Sequence, residues 1–388
     1  MMNEATRLFI QAHRTEDVRR LALNGAKADG VDMPFALQQI AGWQTARRKL
    51  PSWSAIEGLI YPLHLNMEQC SSEQTAAYKK SILPALAKNG TFVDLTGGFG
   101  VDFSWMSSAF DKRIYVERNV DLCEVARYNF PLLGLKTEVV CADAEEFLRQ
   151  MEHADVVFLD PARRDQYGGR TYGIGDCTPN VIELLPLLRE KADCIILKLS
   201  PMLDWRKAID DLKGVSEVHI VSVNNECKEL LLVIRSRPSD RHRLVCVNDD
   251  DVWEVPTIEA SYEQKEMEAV YLYEPNASIM KAGCFREVEQ TFGVQQLATN
   301  SHLFISEQEI TDFSGRQFVI DAMTSMNKQE LKAHIGSMER ANVAVRNFPM
   351  TAEQLRKKLK LKDGGDVYIF GTTLQDGAHQ LYICRKIG

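Results

Sequence analysis

The sequence predicts an α/β protein built around a mostly parallel, seven-stranded sheet, with a helical segment before the sheet and small α+β units after it. Three observations predict this. Residues 1 to about 88 carry helix signals and no strand-like alternation. From residue 91, short apolar runs alternate with helical stretches, the pattern of a parallel sheet buried on both faces. The last two runs, Val218–Val223 and Leu230–Ile234, lie too close for a parallel crossover, which needs a dozen or more residues, so they pair as a hairpin.

In the helical segment, Pro51, Pro62 and the region of Gly58 divide the chain into several helices. Ser71-Ser72-Glu73-Gln74 reads as a capped helix start, and Ile82, Leu83 and Leu86 continue an apolar stripe. The first strand is expected at Thr91–Leu95, with a helix from about Val101. Arg113–Glu117 follows, then a helix from Val125 to Leu133, then Glu138–Cys141 and Val156–Leu159. A helix over 180–191, the run Cys194–Leu199 and a helix at Trp205–Leu212 lead to the terminal hairpin. Strands joined by helices, with a last antiparallel one, describe a Rossmann-like class I methyltransferase sheet. Ordinary dinucleotide-binding domains do not end in such a hairpin.

Beyond Arg237-Pro238-Ser239-Asp240-Arg241, residues 240–272 read as short strands with a turn at Asp249-Asp250-Asp251. Strand Val270–Tyr273, helix Ser278–Phe292 and strand Leu303–Ile305 make a small α+β unit. A last unit has strands near Phe318–Asp321, Val343–Val345, Val367–Phe370 and Leu381–Cys384. The expected domains are 1–88, 89–237, 238–316 and 317–388.

Composition narrows the function. At 388 residues, with a net charge of -8, the chain has no whole-protein electrostatic signature for nucleic acid, so any RNA contact needs a local basic face. Nine scattered cysteines without a C-x-x-C pair, and no His cluster, fit a reducing compartment and no metal site. There is no leader-like or bilayer-length apolar stretch, so the expectation is a cytoplasmic protein without a membrane partner.

The strongest local signal is Val93-Asp94-Leu95-Thr96-Gly97-Gly98-Phe99-Gly100 at the end of the first strand. Small residues let the backbone turn tightly and approach a ligand, and the next helix start offers N–H groups. Asp94 either accepts from a ligand amine or fixes the loop. Glu117 ends the second strand, 23 positions later, and is either a ribose-hydroxyl acceptor or a surface charge. Asp143 ends the third strand and either accepts from an adenine amine or caps the next helix. Three acids ending three successive strands favour a ligand at the sheet's carboxyl edge.

The fourth strand ends in Phe158-Leu159-Asp160-Pro161-Ala162-Arg163-Arg164. With the Asp94–Gly100 loop and Lys198-Leu199-Ser200-Pro201 after the fifth strand, this run resembles a bacterial family of S-adenosylmethionine-dependent methyltransferases with THUMP-like C-terminal domains. The likeness covers about residues 65–235 well. It implies ferredoxin-like and THUMP-like small domains and an RNA substrate, tRNA or rRNA. It also implies that Asp94, Thr96, Gly98, Gly100, Glu117, Asp143 and Asp160 hold S-adenosylmethionine. Asp160, Arg163 and Lys198 would act at the reacting centre, with Asp160 between donor and acceptor and Lys198 touching substrate or neutralising Asp160. Arg163 stands where methylases of exocyclic amines carry an aromatic platform, and the loop after the fifth strand has no cysteine, so the acceptor atom stays open. Cys177 reads as an inert thiol.

The Gly-rich stretch between Asp165 and Pro179 suits a lid, with Arg163, Arg164, Arg170 and Tyr172 as RNA contacts. Gln69, Ser71 and Tyr78 are candidate contacts in a cofactor wall made by the N-terminal helices. In the last domain, Leu355, Leu359 and Leu361 leave Arg356, Lys357, Lys358 and Lys360 along one helical face, either a phosphate-tracking surface or a solvated one. Three rivals remain: a small-molecule or protein methyltransferase, a non-catalytic RNA-binding protein of the same fold, and a nicotinamide dehydrogenase. The Asp160-Pro161 run and the terminal hairpin oppose the last.

Overall fold

A computed structural model describes residues 2–23, 29–84, 90–163, 173–236, 242–258 and 267–387. The chain forms two compact units, residues 1–218 with 229–242, and 219–228 with 243–388.

The first unit opens with helices α1 (Glu4–His13), α2 (Val18–Leu23), α3 (Met33–Lys49), α4 (Pro51–Ser54), α5 (His64–Gln69) and α6 (Glu73–Ser81). Side-chain caps start three of them: Asn3 accepts from the Thr6 amide, Asp32 from Phe35 and Ser72 from Thr75. Helix α6 stops at Ser81, earlier than the expected stripe. Ile82 and Leu83 still pack against the sheet core, but from beyond the helix, and Leu86 lies outside the described residues.

The sheet follows as β1 (Thr91–Asp94), α7 (Val101–Met106), β2 (Lys112–Glu117), α8 (Val120–Leu132), β3 (Glu138–Cys141), α9 (Ala144–Gln150) and β4 (Ala154–Leu159). Then come α10 (Val181–Lys191), β5 (Ala192–Leu199), α11 (Trp205–Leu212), β6 (Glu217–Val223) and β7 (Glu226–Arg235), of which residues 219–228 count with the second unit. In space the order is β3-β2-β1-β4-β5-β7-β6. Strands β1 to β5 pair in parallel, and β7 lies antiparallel to β5 with Leu197 opposite Leu232. The β6–β7 turn is Asn224-Asn225, with φ of 52° and 58°, the two-residue hairpin chemistry that matches strand twist. This is the Rossmann-like methyltransferase sheet. Its order reverses between β1 and β4, where the carboxyl ends of the strands leave a crevice for a ligand. Beneath that edge, Phe92, Phe103, Phe110, Tyr115 and Phe130 form a buried aromatic core with ring centroids 5.1–6.0 Å apart.

In the second unit, β8 (Arg243–Asn248) and β9 (Asp251–Glu254) form the hairpin expected around Asp249. The elements that follow are β10 (Tyr271–Pro275), α12 (Ala277–Ala282), α13 (Phe285–Phe292), β11 (Gln295–Gln296), β12 (Phe304–Ser306) and β13 (Gly315–Ser325). The chain ends with α14 (Lys328–Ile335), β14 (Asn342–Arg346), α15 (Ala352–Leu359), β15 (Val367–Thr373) and β16 (His379–Ile387). The strands from β10 onward make one sheet, ordered β11-β12-β10-β13-β16-β15-β14. The single helix expected over Ser278–Phe292 is two, because Gly283 takes a left-handed φ of 65° that ends α12. Likewise α15 ends at Leu359 and Lys360 turns left-handed at φ 59°, so Leu361 does not extend the helical face read from the sequence.

Candidate functional site

The chain turns sharply between β1 and α7. The amide of Leu95 donates to the Phe158 carbonyl at 3.0 Å, and that of Gly97 to Val116 at 2.9 Å, so the turn is sewn to both neighbouring strands. A Cβ on Gly97 would stand 2.1 Å from the Tyr115 ring, whose hydroxyl donates to the Gly98 carbonyl. Glycine is required there by close packing. Gly100 has φ +85°, and a Cβ on it would stand 2.8 Å from Phe130. Gly97→Ala is expected to destabilise the first unit by about 1–3 kcal/mol through overpacking against a fixed ring. A urea midpoint unchanged from wild type would refute this.

The three acids take different positions. Asp94 is 1 % exposed and accepts from the Thr96 amide at 2.9 Å. Burial pushes its carboxyl well above the usual range, and the Asp102, Asp160 and Glu117 carboxylates push the same way against the Thr96 hydrogen bond. A cationic group at Asp94 would relieve that. Glu117 is no loose surface charge: it accepts from Gly98 N at 2.9 Å and Asn119 N at 2.8 Å, tying β2 to the glycine turn. Asp143 is exposed and caps α9, its Oδ1 accepting from Glu145 N at 2.9 Å and Glu146 N at 3.4 Å. The glycine turn therefore offers fewer free amides than the sequence suggested, since Gly98 N serves Glu117 and Gly100 N serves Gly97 O.

Next to them, β4 delivers Asp160. Its amide donates to the Thr96 hydroxyl at 2.6 Å, which gives Thr96 an anchoring role between β1 and β4. The Asp160 carboxylate meets Lys198 Nζ at 2.5 Å, so Lys198, at the end of β5, neutralises Asp160. Lys198 also lies 3.5 Å from Asp102. Burial opposes its charge, but Asp160, Asp102 and Glu229 outweigh that and raise its pKa, so it stays an ammonium.

The chain of charges continues inward, through residues the sequence reading did not single out. Lys79 on α6 is fully buried and sits 2.6 Å from Glu229 on β7 and 3.1 Å from Asp102 on α7. Ser71 donates to Asp102 at 2.7 Å and accepts from Lys79 at 3.2 Å. Burial opposes ionisation of Asp102, yet Lys79 and Lys198 hold its carboxyl below the usual range; at Glu229 burial wins and the carboxyl is raised. The available signal was a charge inside each apolar stretch: Asp102 in Val101-Asp102-Phe103 and Glu229 before Leu230-Leu231-Leu232. Ser71, proposed as a wall residue, belongs to this network.

After β4, the backbone of Ala162–Arg163 pairs with Cys177–Thr178, and Cys177 is buried, as expected of an inert thiol. Arg164, Arg170 and Tyr172 lie outside the described residues. In the second unit, Arg356 pairs with Asp363 at 2.6 Å and Lys357 with Glu353 at 2.7 Å. Lys358 and Lys360 are exposed and form no ion pair among the described residues, so only part of the expected basic face is unpaired there. No helix among the described residues is long and apolar enough to cross a membrane.

Comparison with known proteins fits this architecture. Residues 271–313 match the family model of a ferredoxin-like domain, and residues 315–386 that of a THUMP domain-like fold. A candidate methyltransferase from Porphyromonas gingivalis W83, known as a crystal structure, is 31% identical over 100% of both chains, with a TM-score of 0.87. A class I S-adenosylmethionine-dependent methyltransferase candidate of Listeria monocytogenes aligns at 11% identity over 63% of this chain and 93% of its own, TM-score 0.39. The 16S rRNA N2 G1207 methyltransferase of Thermus thermophilus, solved with AdoMet and guanosine, aligns at 14% identity over 47% and 44%, TM-score 0.31. No curated protein matches the chain significantly.

Proposed function

Because the chain belongs to the methyltransferase family of the Porphyromonas gingivalis protein, we propose that it transfers a methyl group from S-adenosylmethionine to a nucleotide of tRNA or rRNA. The observation that carries the reading is the carboxyl edge of the sheet at the point where strand order reverses between β1 and β4, where a glycine turn, the strand-ending Asp94, Glu117 and Asp143, and the Asp160–Lys198 pair stand. The donor set suits this cofactor. Buried Asp94 would hold its ammonium, Glu117 its ribose hydroxyls and Asp143 its adenine amine, beside a turn in which Gly97, Gly98 and Gly100 leave no side chain. When bound, S-adenosylmethionine supplies a methyl group activated by a sulfonium.

The residues of the chain then act mainly by positioning. Thr96 fixes the backbone of Asp160, and Lys198 fixes its carboxylate, so that Asp160 can orient the acceptor and take a proton from it. Arg163, Arg164, Arg170 and Tyr172 are proposed to reach the RNA from the segment after β4. The THUMP-like domain, with exposed Lys358 and Lys360, is proposed as a phosphate contact.

The test is incorporation of labelled methyl groups into tRNA and rRNA from a strain lacking this gene. Label in one fraction supports the proposal. S-adenosylmethionine at ~100 times its dissociation constant should also raise stability by about 2.7 kcal/mol. Cofactor stabilisation without label in either fraction would favour the second reading, a protein or small-molecule acceptor, in keeping with the surface ion pairs that Arg356 and Lys357 already make.

A further inference from the structure

The buried charges between α6 and Asp160 do not balance. Lys79 lies 2.6 Å from Glu229, and Lys198 lies 2.5 Å from Asp160, so each ammonium already has a close carboxylate of its own. Asp102 is a third carboxylate for the same two cations. It stands between them at longer range, 3.1 Å from Lys79 and 3.5 Å from Lys198, and its side chain is only 10 % exposed. Its Oδ2 accepts from Ser71 Oγ at 2.7 Å. Taking a carboxylate out of water is costly, and the two closer pairs neutralise both lysines without it. Folding alone would be served by an uncharged side chain at this position.

Its place in the fold accounts for the extra charge. Asp102 sits in the first turn of α7, directly after the glycine turn, while Lys198 is at the end of β5 and Asp160 follows β4. The side chain of Lys79 is 0 % exposed, that of Lys198 13 % and that of Asp160 40 %, so the chain of charges runs from a sealed interior to the carboxyl edge of the sheet. Lysine carries its ammonium on a flexible four-carbon stem, so its partners decide where the charge stands. Held by Asp160 alone, Lys198 would follow that carboxylate as it moved. Held by Asp102 as well, it is tied to α7, and Lys79 and Ser71 in turn fix Asp102. We infer that Asp102 is a positioning residue: through Lys198 it holds the Asp160 carboxylate in the orientation that methyl transfer requires. The inference rests on the proposed function, which puts Asp160 at the reacting centre.

The experiment compares full-length wild type, Asp102→Asn and Ser71→Ala. Label from saturating S-adenosylmethionine is counted in the RNA, protein and small molecules of an extract from a strain lacking this gene. Asparagine keeps the shape of aspartate and removes the charge. Its kcat should fall about tenfold, because a misplaced group slows the step it serves, while the acceptor KM stays as in wild type and the urea midpoint is no lower. Ser71→Ala, which frees the Asp102 carboxylate to turn, should lower kcat about threefold. An Asp102→Asn kcat within about twofold of wild type overturns the inference. So does an Asp102→Asn protein that unfolds or loses stability, since the carboxylate would then be a counter-ion for folding. Label in RNA at equal rates for wild type and Asp102→Asn removes Asp102 from this role and leaves the function standing. Label in protein or small molecules alone, with the expected fall in Asp102→Asn, removes RNA as the acceptor and leaves Asp102 in its role. A wild type that labels no fraction overturns both.

Discussion

Asp160→Asn is expected to lower methyl transfer by about 10²–10⁴-fold while S-adenosylmethionine still stabilises the protein. The magnitude is that of losing a positioned proton acceptor and the orientation it imposes. The geometry explains why the loss should be chemical rather than structural. The Asp160 amide keeps its bond to Thr96 whatever the side chain, and Lys198 retains Asp102 at 3.5 Å when the carboxylate is removed. Rates with saturating cofactor and RNA, set beside cofactor thermal shifts for both proteins, make the measurement. An Asp160→Asn variant that transfers methyl groups at the wild-type rate would remove Asp160 from the reacting centre and leave it as a loop anchor.

Lys79→Met is expected to cost about 3–5 kcal/mol, the largest stability loss foreseen in the first unit. The ammonium is fully buried between Glu229 and Asp102, and removing it strands two carboxylates out of water. Asp102 keeps Lys198, whereas Glu229 loses its close partner, so the larger part of the penalty falls there. Adding Glu229→Leu should recover much of the loss, because a buried ion pair replaced by apolar groups of similar volume is often neutral. Urea midpoints of the wild type, the single variant and the double variant close the cycle. A single variant within 1 kcal/mol of wild type would show that water reaches Glu229 and that the network is not sealed.

Much of this protein was legible in its residues, because the signals involved are local. The sheet strands are short apolar runs with turn chemistry between them, and the Asn224-Asn225 step between β6 and β7 is too short for anything but a hairpin. Asp94, Glu117 and Asp143 were marked by standing at strand ends, and Asp160 and Lys198 by opening the loops after β4 and β5. Helix ends were less legible: α6 and α15 stop earlier than their apolar stripes, and Gly283 divides a helix that its hydrophobic pattern continues through.

Residue types and spacing, then, determined the strand order's ingredients, the glycine turn and the acids along one edge of the sheet. Tertiary structure alone decided which charges meet. Lys79 and Glu229 lie 150 positions apart and touch only because β7 folds back beside β5 while α6 packs on α7. Tyr61, outside any helix, joins the buried N-terminal core where Gln39 on α3 holds its backbone. Burial turns an ordinary lysine into the counter-ion of two carboxylates, and burial is a property of the packed chain that no window of sequence contains.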